Sequence, residues 1–143
     1  MIRSILMVCT GNICRSPYAA ARFQQQLPNL SVSSAGTHSL VEQAADATAD
    51  VTASARGVNL SLHVAQQLST KILASHDICL VMERQQLKKI HRRHPEAIGK
   101  VFMLSRWIGN RDIADPYQRS ADYFDAVFNV IDDAIESWES RIK

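Results

Sequence analysis

Strands alternating with helices along 143 residues predict a single-domain α/β protein: an open, doubly wound sheet of four parallel strands flanked by helices. Three observations carry that prediction. Four short apolar runs have strand patterning, capped or amphipathic helical segments lie between them, and no linker, repeat or low-complexity tract divides residues 1–143. Parallel neighbours need crossovers, which the helices supply. In such sheets a ligand sits outside the carboxyl ends of the strands, where the strand order reverses.

Ile5 to Cys9 reads as a buried first strand. Ser16-Pro17 then offers an N-cap with proline at the first helical position, opening a helix to about Gln26. Leu30 to Ala35 alternates apolar and polar residues as a second strand. Residues 36–43 form a loop, Ala44 to Arg56 a helix closed by Gly57, and Ser69 to Ser75 a short helix. Asp77 to Met82 is the third strand, Arg84 to His94 a helix stopped by Pro95, and Lys100 to Leu104 the fourth strand, followed by a long loop. From Asp122 onward Phe124, Phe128, Ile131, Ile135, Trp138 and Ile142 mark one face of a terminal helix. That stripe is too short for a coiled coil and is assigned to the core.

Composition excludes little beyond the extremes. With 46% hydrophobic residues, 21% charged residues and a formal charge of +2, the chain is an ordinary globule, and its charge identifies no partner. The apolar run in MIRSILMVC is too brief to span a bilayer and lacks a cleavage-site pattern, so no membrane insertion is expected. Cys9, Cys14 and Cys79 are three, an odd number, in a chain that needs no staples, which points to reduced thiols and a cytoplasmic location. No Cys-x-x-Cys or His pair suggests a metal, and no cofactor is expected. Lys88 to His94, KKIHRRH, is basic, but no aromatic residues interleave for base stacking, so it is assigned to a solvated helix face rather than to nucleic acid. Cys79 lies inside an apolar strand as inert core, and Trp107 stands beside the long loop as either pocket wall or packing.

The chemistry concentrates in Cys9 to Ser16, CTGNICRS, between the first strand and the first helix. A loop entering a helix turns backbone NH groups inward and adds the positive end of the helix dipole, forming an anion-sized cup from Thr10, Gly11, Asn12, Ile13, Cys14, Arg15 and Ser16. Gly11 supplies backbone freedom, and Asn12 tolerates left-handed geometry. The second glycine and Lys-Ser/Thr pair of a nucleotide-binding Walker loop are missing. In their place stand a cysteine and, six positions later, an arginine. The thiolate of Cys9 is a nucleophile favoured by a helix N-terminus and a nearby cation. The fork of Arg15 holds equatorial phosphate oxygens while charge redistributes. Ser16 is placed to donate a hydrogen bond to the sulfur when it leaves. An ester oxygen also needs a proton, and Asp115, in Asp115-Pro116-Tyr117 after the fourth strand, is the candidate donor. The two thiols of the loop admit a protective Cys9–Cys14 disulfide or mere packing of Cys14.

CTGNICRS, SAG at Ser34 to Gly36, His63, the Met82-Glu83 pair and the late DPY together resemble a low-molecular-weight protein tyrosine phosphatase over nearly the whole chain. The resemblance implies a flavodoxin-like sheet, Cys9 as nucleophile, Arg15 as transition-state clamp and Asp115 as general acid. It implies that Asn12, Ser16, Ser34 and His63 support the loop. Within the family the chain is similar to the bacterial branch acting on membrane tyrosine autokinases of capsule or exopolysaccharide export, so the implied partner is a phosphotyrosine protein. Leu40 falls where eukaryotic-type members carry an aromatic pocket wall and, with Tyr117, would sandwich a substrate ring. Three rivals share parts of this pattern. An arsenate reductase needs two further thiols after the third strand, where only Cys79 lies; a phosphoarginine phosphatase carries a smaller polar residue in place of Ile13; a non-catalytic phosphate-binding module has no use for Asp115.

Overall fold

The computed structural model describes residues 1–142. β1 (Ser4–Cys9), β2 (Ser31–Gly36), β3 (Ile78–Val81) and β4 (Val101–Met103) form one parallel sheet in the order β2-β1-β3-β4. The central strands are buried on both faces, which is why they read as unbroken apolar runs. Their alternation sends Ile5, Met7 and Leu80 to one face and Leu6, Val8, Cys79 and Val81 to the other. On the first face lie α1 (Arg15–Gln26), α2 (Ala47–Ala55) and α5 (Ala121–Ile142); the second face is covered by α3 (Thr70–Ala74) and α4 (Arg84–Arg93), with Leu73 and Ile90 in its core. The α5 stripe is as expected: Phe124, Phe128, Ile131, Ile135 and Trp138 are buried, and Ile142 packs half-buried. Burial pushes the Cys79 thiol up to about 12, as suits core.

The strand order reverses between β1 and β3, which places the crevice beside the carboxyl end of β1, at Cys9. The edge strand β2 is blunted by Gln24, whose side chain accepts from Val32 N at 3.1 Å and donates to Leu30 O at 2.6 Å.

Two helix starts differ from the sequence expectation, and both differences serve the crevice. α1 begins at Arg15 with Cys14 as its N-cap, so Ser16 is not a cap and Pro17 is the third helical residue. The Ser16 hydroxyl is occupied instead by Asn12 Nδ2 at 2.7 Å and Cys9 Sγ at 2.9 Å. α2 begins at Ala47 rather than Ala44 because Asp46 Oδ2 accepts from Ala49 N at 3.1 Å. The Asp46 amide donates to Ile13 O at 2.9 Å, tying this helix start to the loop after β1. Trp107 packs edge-on against Trp138 at 5.8 Å, with the Arg106 and Arg141 guanidiniums over its ring, and is not a wall of the crevice. Among the described residues no helix is long and apolar enough to cross a membrane.

Candidate active site

The chain between β1 and α1 curls around a cavity of about 190 Å³. Residues 9–15 form its base, with Cys9 and Asn12 to Arg15 buried, and His38, Leu40, Asp115 and Tyr117 stand exposed at its rim. Among the described residues no acceptor takes the amides of Gly11, Ile13 or Cys14. Unpaired NH groups beside a helix N-terminus make a cradle for an anion.

Asn12 holds the curl. It is fully buried with φ +60°, the left-handed geometry its side-chain type tolerates. Its amide nitrogen donates to Ser16 Oγ at 2.7 Å and Ser34 Oγ at 3.0 Å; its oxygen accepts from Gln66 N at 2.9 Å. His63 Nε2 lies 2.6 Å from the Asn12 carbonyl, and a carbonyl only accepts, so that nitrogen carries the proton. Burial, which disfavours the charged ring, lowers the His63 pKa, and the hydrogen bond to the Asn12 carbonyl opposes it only in part. Gly11, expected to need unusual backbone freedom, has no positive φ. A β-carbon there would meet Ile13 at 3.8 Å and Leu40 at 3.9 Å, ordinary van der Waals contact, so the local space does not demand glycine. The glycine that the fold does require is Gly36, where a β-carbon would collide with Thr10 O.

Cys9 Sγ receives the Asn12 amide at 3.3 Å and faces Ser16 Oγ at 2.9 Å. Ser16 Oγ accepts from Asn12 Nδ2, and its own hydrogen has the sulfur at 2.9 Å and Ala35 O at 3.5 Å within reach. Arg15 is 2% exposed, and its Nη1 donates to Glu83 Oε2 at 2.6 Å and Ile113 O at 2.7 Å. Its Nη2 lies 3.7 Å from Asp115 Oδ2 at the rim. A guanidinium pinned through one nitrogen is aimed before any ligand arrives. Asp115 is half exposed and accepts from the Tyr117 amide at 3.1 Å, a turn that orients its carboxyl group. The Cys14 thiol is pushed far up by burial, then by the charges of Asp46 and Cys9, and stays protonated.

The expected residues converge: Thr10 to Arg15, Leu40, Asp115 and Tyr117 line the cavity, while Ser16, Ser34 and His63 stand behind it. Four further residues had no role assigned from sequence. Glu83 holds Arg15; Gln86 Nε2 donates to Thr10 Oγ1 at 3.0 Å; Gln66 holds Asn12; His38 reaches the rim. The Glu83-x-x-Gln86 spacing was readable as a helix start, and Gln86 Oε1 does accept from the Glu83 amide at 2.9 Å. Nothing in that spacing points to Arg15.

Free amides, a buried guanidinium, a thiol at the base and a carboxyl group on the rim, at the switch point of a parallel sheet, define an α/β enzyme that handles phosphate esters. Residues 4–143 match the model of the low molecular weight phosphotyrosine protein phosphatase family, and the chain belongs to that family. It is 42% identical over 142 residues, 99% of each chain, to the probable low molecular weight protein-tyrosine-phosphatase AmsI of Erwinia amylovora. The solved structure of Vibrio vulnificus Wzb in complex with benzylphosphonate is 36% identical, with a TM-score of 0.96 over 99% of both chains. The YwlE arginine phosphatase from Geobacillus stearothermophilus is 31% identical, with a TM-score of 0.92 over 98% of this chain and 92% of its own.

Proposed function

We propose that the chain hydrolyses protein phosphotyrosine through a phosphocysteine on Cys9. The Cys9 thiolate attacks phosphorus, the bond from phosphorus to the tyrosine oxygen breaks, and protonated Asp115 gives that oxygen its proton. Arg15 and the free loop amides take the equatorial oxygens during transfer. Water then attacks the phosphocysteine, the Asp115 carboxylate accepts its proton, and the phosphorus–sulfur bond breaks while the Ser16 hydroxyl supports the departing sulfur. The carrying observation is the placement of Cys9, Arg15 and Asp115 on one cavity, with Arg15 Nη2 3.7 Å from Asp115 Oδ2.

Tyrosine is preferred because the sulfur is buried at the base while Leu40 and Tyr117 offer apolar surface at the rim. A long flat side chain spans that depth and phosphoserine does not. The benzylphosphonate complex of the Wzb relative, an aryl-bearing phosphonate, supports the same choice. The likeness to YwlE keeps phosphoarginine as the second reading, and Ile13 weighs against it. The protein substrate on this reading is a membrane tyrosine autokinase of capsule or exopolysaccharide export, met on the cytoplasmic side. Phosphotyrosine peptides should exceed phosphoserine peptides in kcat/KM on the order of 100-fold, and Leu40→Ala should erode that margin about tenfold. Equal rates on the two peptides, or faster cleavage of phosphoarginine, would overturn the assignment.

A further inference from the structure

Helix α4 holds five of the chain's 16 Lys and Arg residues and none of its 14 Asp and Glu. The rest of the chain, with 11 cations against 14 carboxylates, is net negative, so the positive field is local. Ion pairs among the described residues involve Arg15, Arg22, Arg56 and His94, and none of the five α4 cations. Arg84 Nη2 donates to Asn110 O at 3.1 Å and Lys89 Nζ to Thr37 O at 3.5 Å, but no carboxylate of the described residues neutralises any of the five.

The same helix is joined to the active site. Gln86 touches Thr10 of the phosphate loop at 3.0 Å, and one turn on, Lys89 Nζ lies 3.5 Å from Thr37 O. The Thr37 amide in turn donates to Cys9 O at 2.9 Å, and its neighbour His38 is at the rim of the active-site cavity. Just beyond Thr37 lies a second, smaller depression of about 30 Å³, bounded by Thr37, Gln67, Lys89, Arg93 and His94. Residues 37 and 38 are thus the wall between the two cavities. Spacings of three and four put Gln86, Lys89 and Arg93 on one face of α4. From Gln86 to Arg93 that face extends about 10 Å.

We infer that this stripe is a docking surface for the acidic flank of the substrate: Lys89 and Arg93 receive carboxylates of the chain that carries the phosphotyrosine. An extended peptide advances about 3.3 Å per residue, so acids three or four residues from the phosphotyrosine reach the stripe. The inference rests on the phosphotyrosine reading above and specifies its substrate. A peptide is favoured over an anionic membrane because the stripe starts at the phosphate loop, shares Thr37 with the cavity wall, and includes no large exposed apolar residue of α4 for insertion into lipid.

The test compares phosphotyrosine peptides carrying glutamate pairs three and four residues before or after the phosphotyrosine with glutamine counterparts. At about 50 mM salt one glutamate peptide should be favoured about tenfold in kcat/KM, mostly through KM, falling to about twofold near 0.5 M salt. The double substitution Lys89→Gln/Arg93→Gln should abolish that preference while leaving p-nitrophenyl phosphate turnover unchanged. Lys88→Gln/Arg92→Gln, on other faces of the same helix, should retain it. Equal wild-type rates on glutamate and glutamine peptides, or a preference that survives the first double substitution, would sink the docking surface and leave the phosphatase reading intact. Loss of binding to vesicles rich in phosphatidylserine by that variant, with peptide rates unaltered, would assign the face to a membrane instead. Absence of turnover on every peptide and on p-nitrophenyl phosphate would defeat both readings at once.

Discussion

The two loops that meet at the cavity are held by opposite means. Residues 9–16 are pinned from within: Asn12, Arg15 and Ser16 are almost wholly buried, and their polar atoms are taken by Ser34, Gln66, Glu83 and Ile113. Residues 104–120 are anchored at their start, where buried Leu104 donates to Val81 O and accepts from Trp138 Nε1, each at 2.8 Å, and at their middle, where buried Ile113 donates to Met82 O at 2.8 Å and accepts from Arg15. Two residues beyond that anchor Asp115 is exposed, and Tyr117 is 43% exposed. On the proposed mechanism the groups that would stabilise charge are thus built into the core and preorganised, whereas the candidate proton donor Asp115 lies on an exposed segment. Binding of the phosphoryl group and protonation of the leaving group should then be separable by mutation.

The largest expected separation comes from Asp115→Asn. Turnover of phenyl phosphate should fall roughly 100- to 1,000-fold, while p-nitrophenyl phosphate, whose leaving group needs less protonation, should lose about tenfold or less. Phosphate inhibition should change little, since the cup is intact. Equal losses on both esters would mean that the acid loop shapes the cup rather than protonating the product.

A smaller effect tests what holds the rigid loop from behind. α1, which follows it, is tied to α2 and α5 through Asp132, which accepts from Tyr18 Oη at 2.8 Å, Arg22 Nε at 3.2 Å and Arg56 Nη2 at 2.8 Å. Desolvation raises the Asp132 pKa, but hydrogen bonds from Arg22, Arg56 and Tyr18 outweigh it and hold the carboxyl group below its ordinary value. A lowered folded pKa contributes stability above the ordinary aspartate range that is lost as pH falls through the folded value. Asp132→Asn should therefore cost about 1–3 kcal/mol at neutral pH in urea unfolding, with the difference from wild type shrinking as pH drops below about 4. A cost independent of pH would show that the carboxylate charge is not what ties the helices.

The smallest effect on turnover is expected at Cys14, whose thiol burial keeps protonated beside the candidate nucleophile. Cys14→Ser should retain activity within about threefold, since a small buried side chain replaces another of similar size. After peroxide treatment, however, wild type should regain activity with dithiothreitol far more completely than the variant if, as we propose, a Cys9–Cys14 disulfide forms in place of the irreversible acids of Cys9. Equal recovery would leave Cys14 as packing alone.

Much of this was legible in sequence because its signals are local. The sheet followed from apolar runs, and the cup followed from eight contiguous residues whose chemistry is unusual when taken together. Asn12 was readable as left-handed for the same reason. What escaped was supplied across space. Glu83 lies 68 residues from the arginine it holds, and only the β1–β3 pairing brings them together. Ser16 read as a helix cap because local rules favour a hydroxyl there, but the tertiary demand of Cys9 and Asn12 outweighed the cap and moved the helix start. The basic run in α4 looked like an ordinary solvated face until Thr10 and Thr37 placed it beside the cavity.

The most direct measurement is a rapid acid quench of the wild-type enzyme turning over p-nitrophenyl phosphate, followed by intact mass and mapping of the modified peptide. A phosphoryl group on Cys9, formed in a burst and then drained at the steady-state rate, is the predicted result. Cys9→Ser should show no such species and less than about 1% of wild-type turnover, yet still bind vanadate through the loop amides and Arg15. Full turnover without a phosphorylated enzyme, or a Cys9→Ser variant that retains most of its activity, would contradict the account.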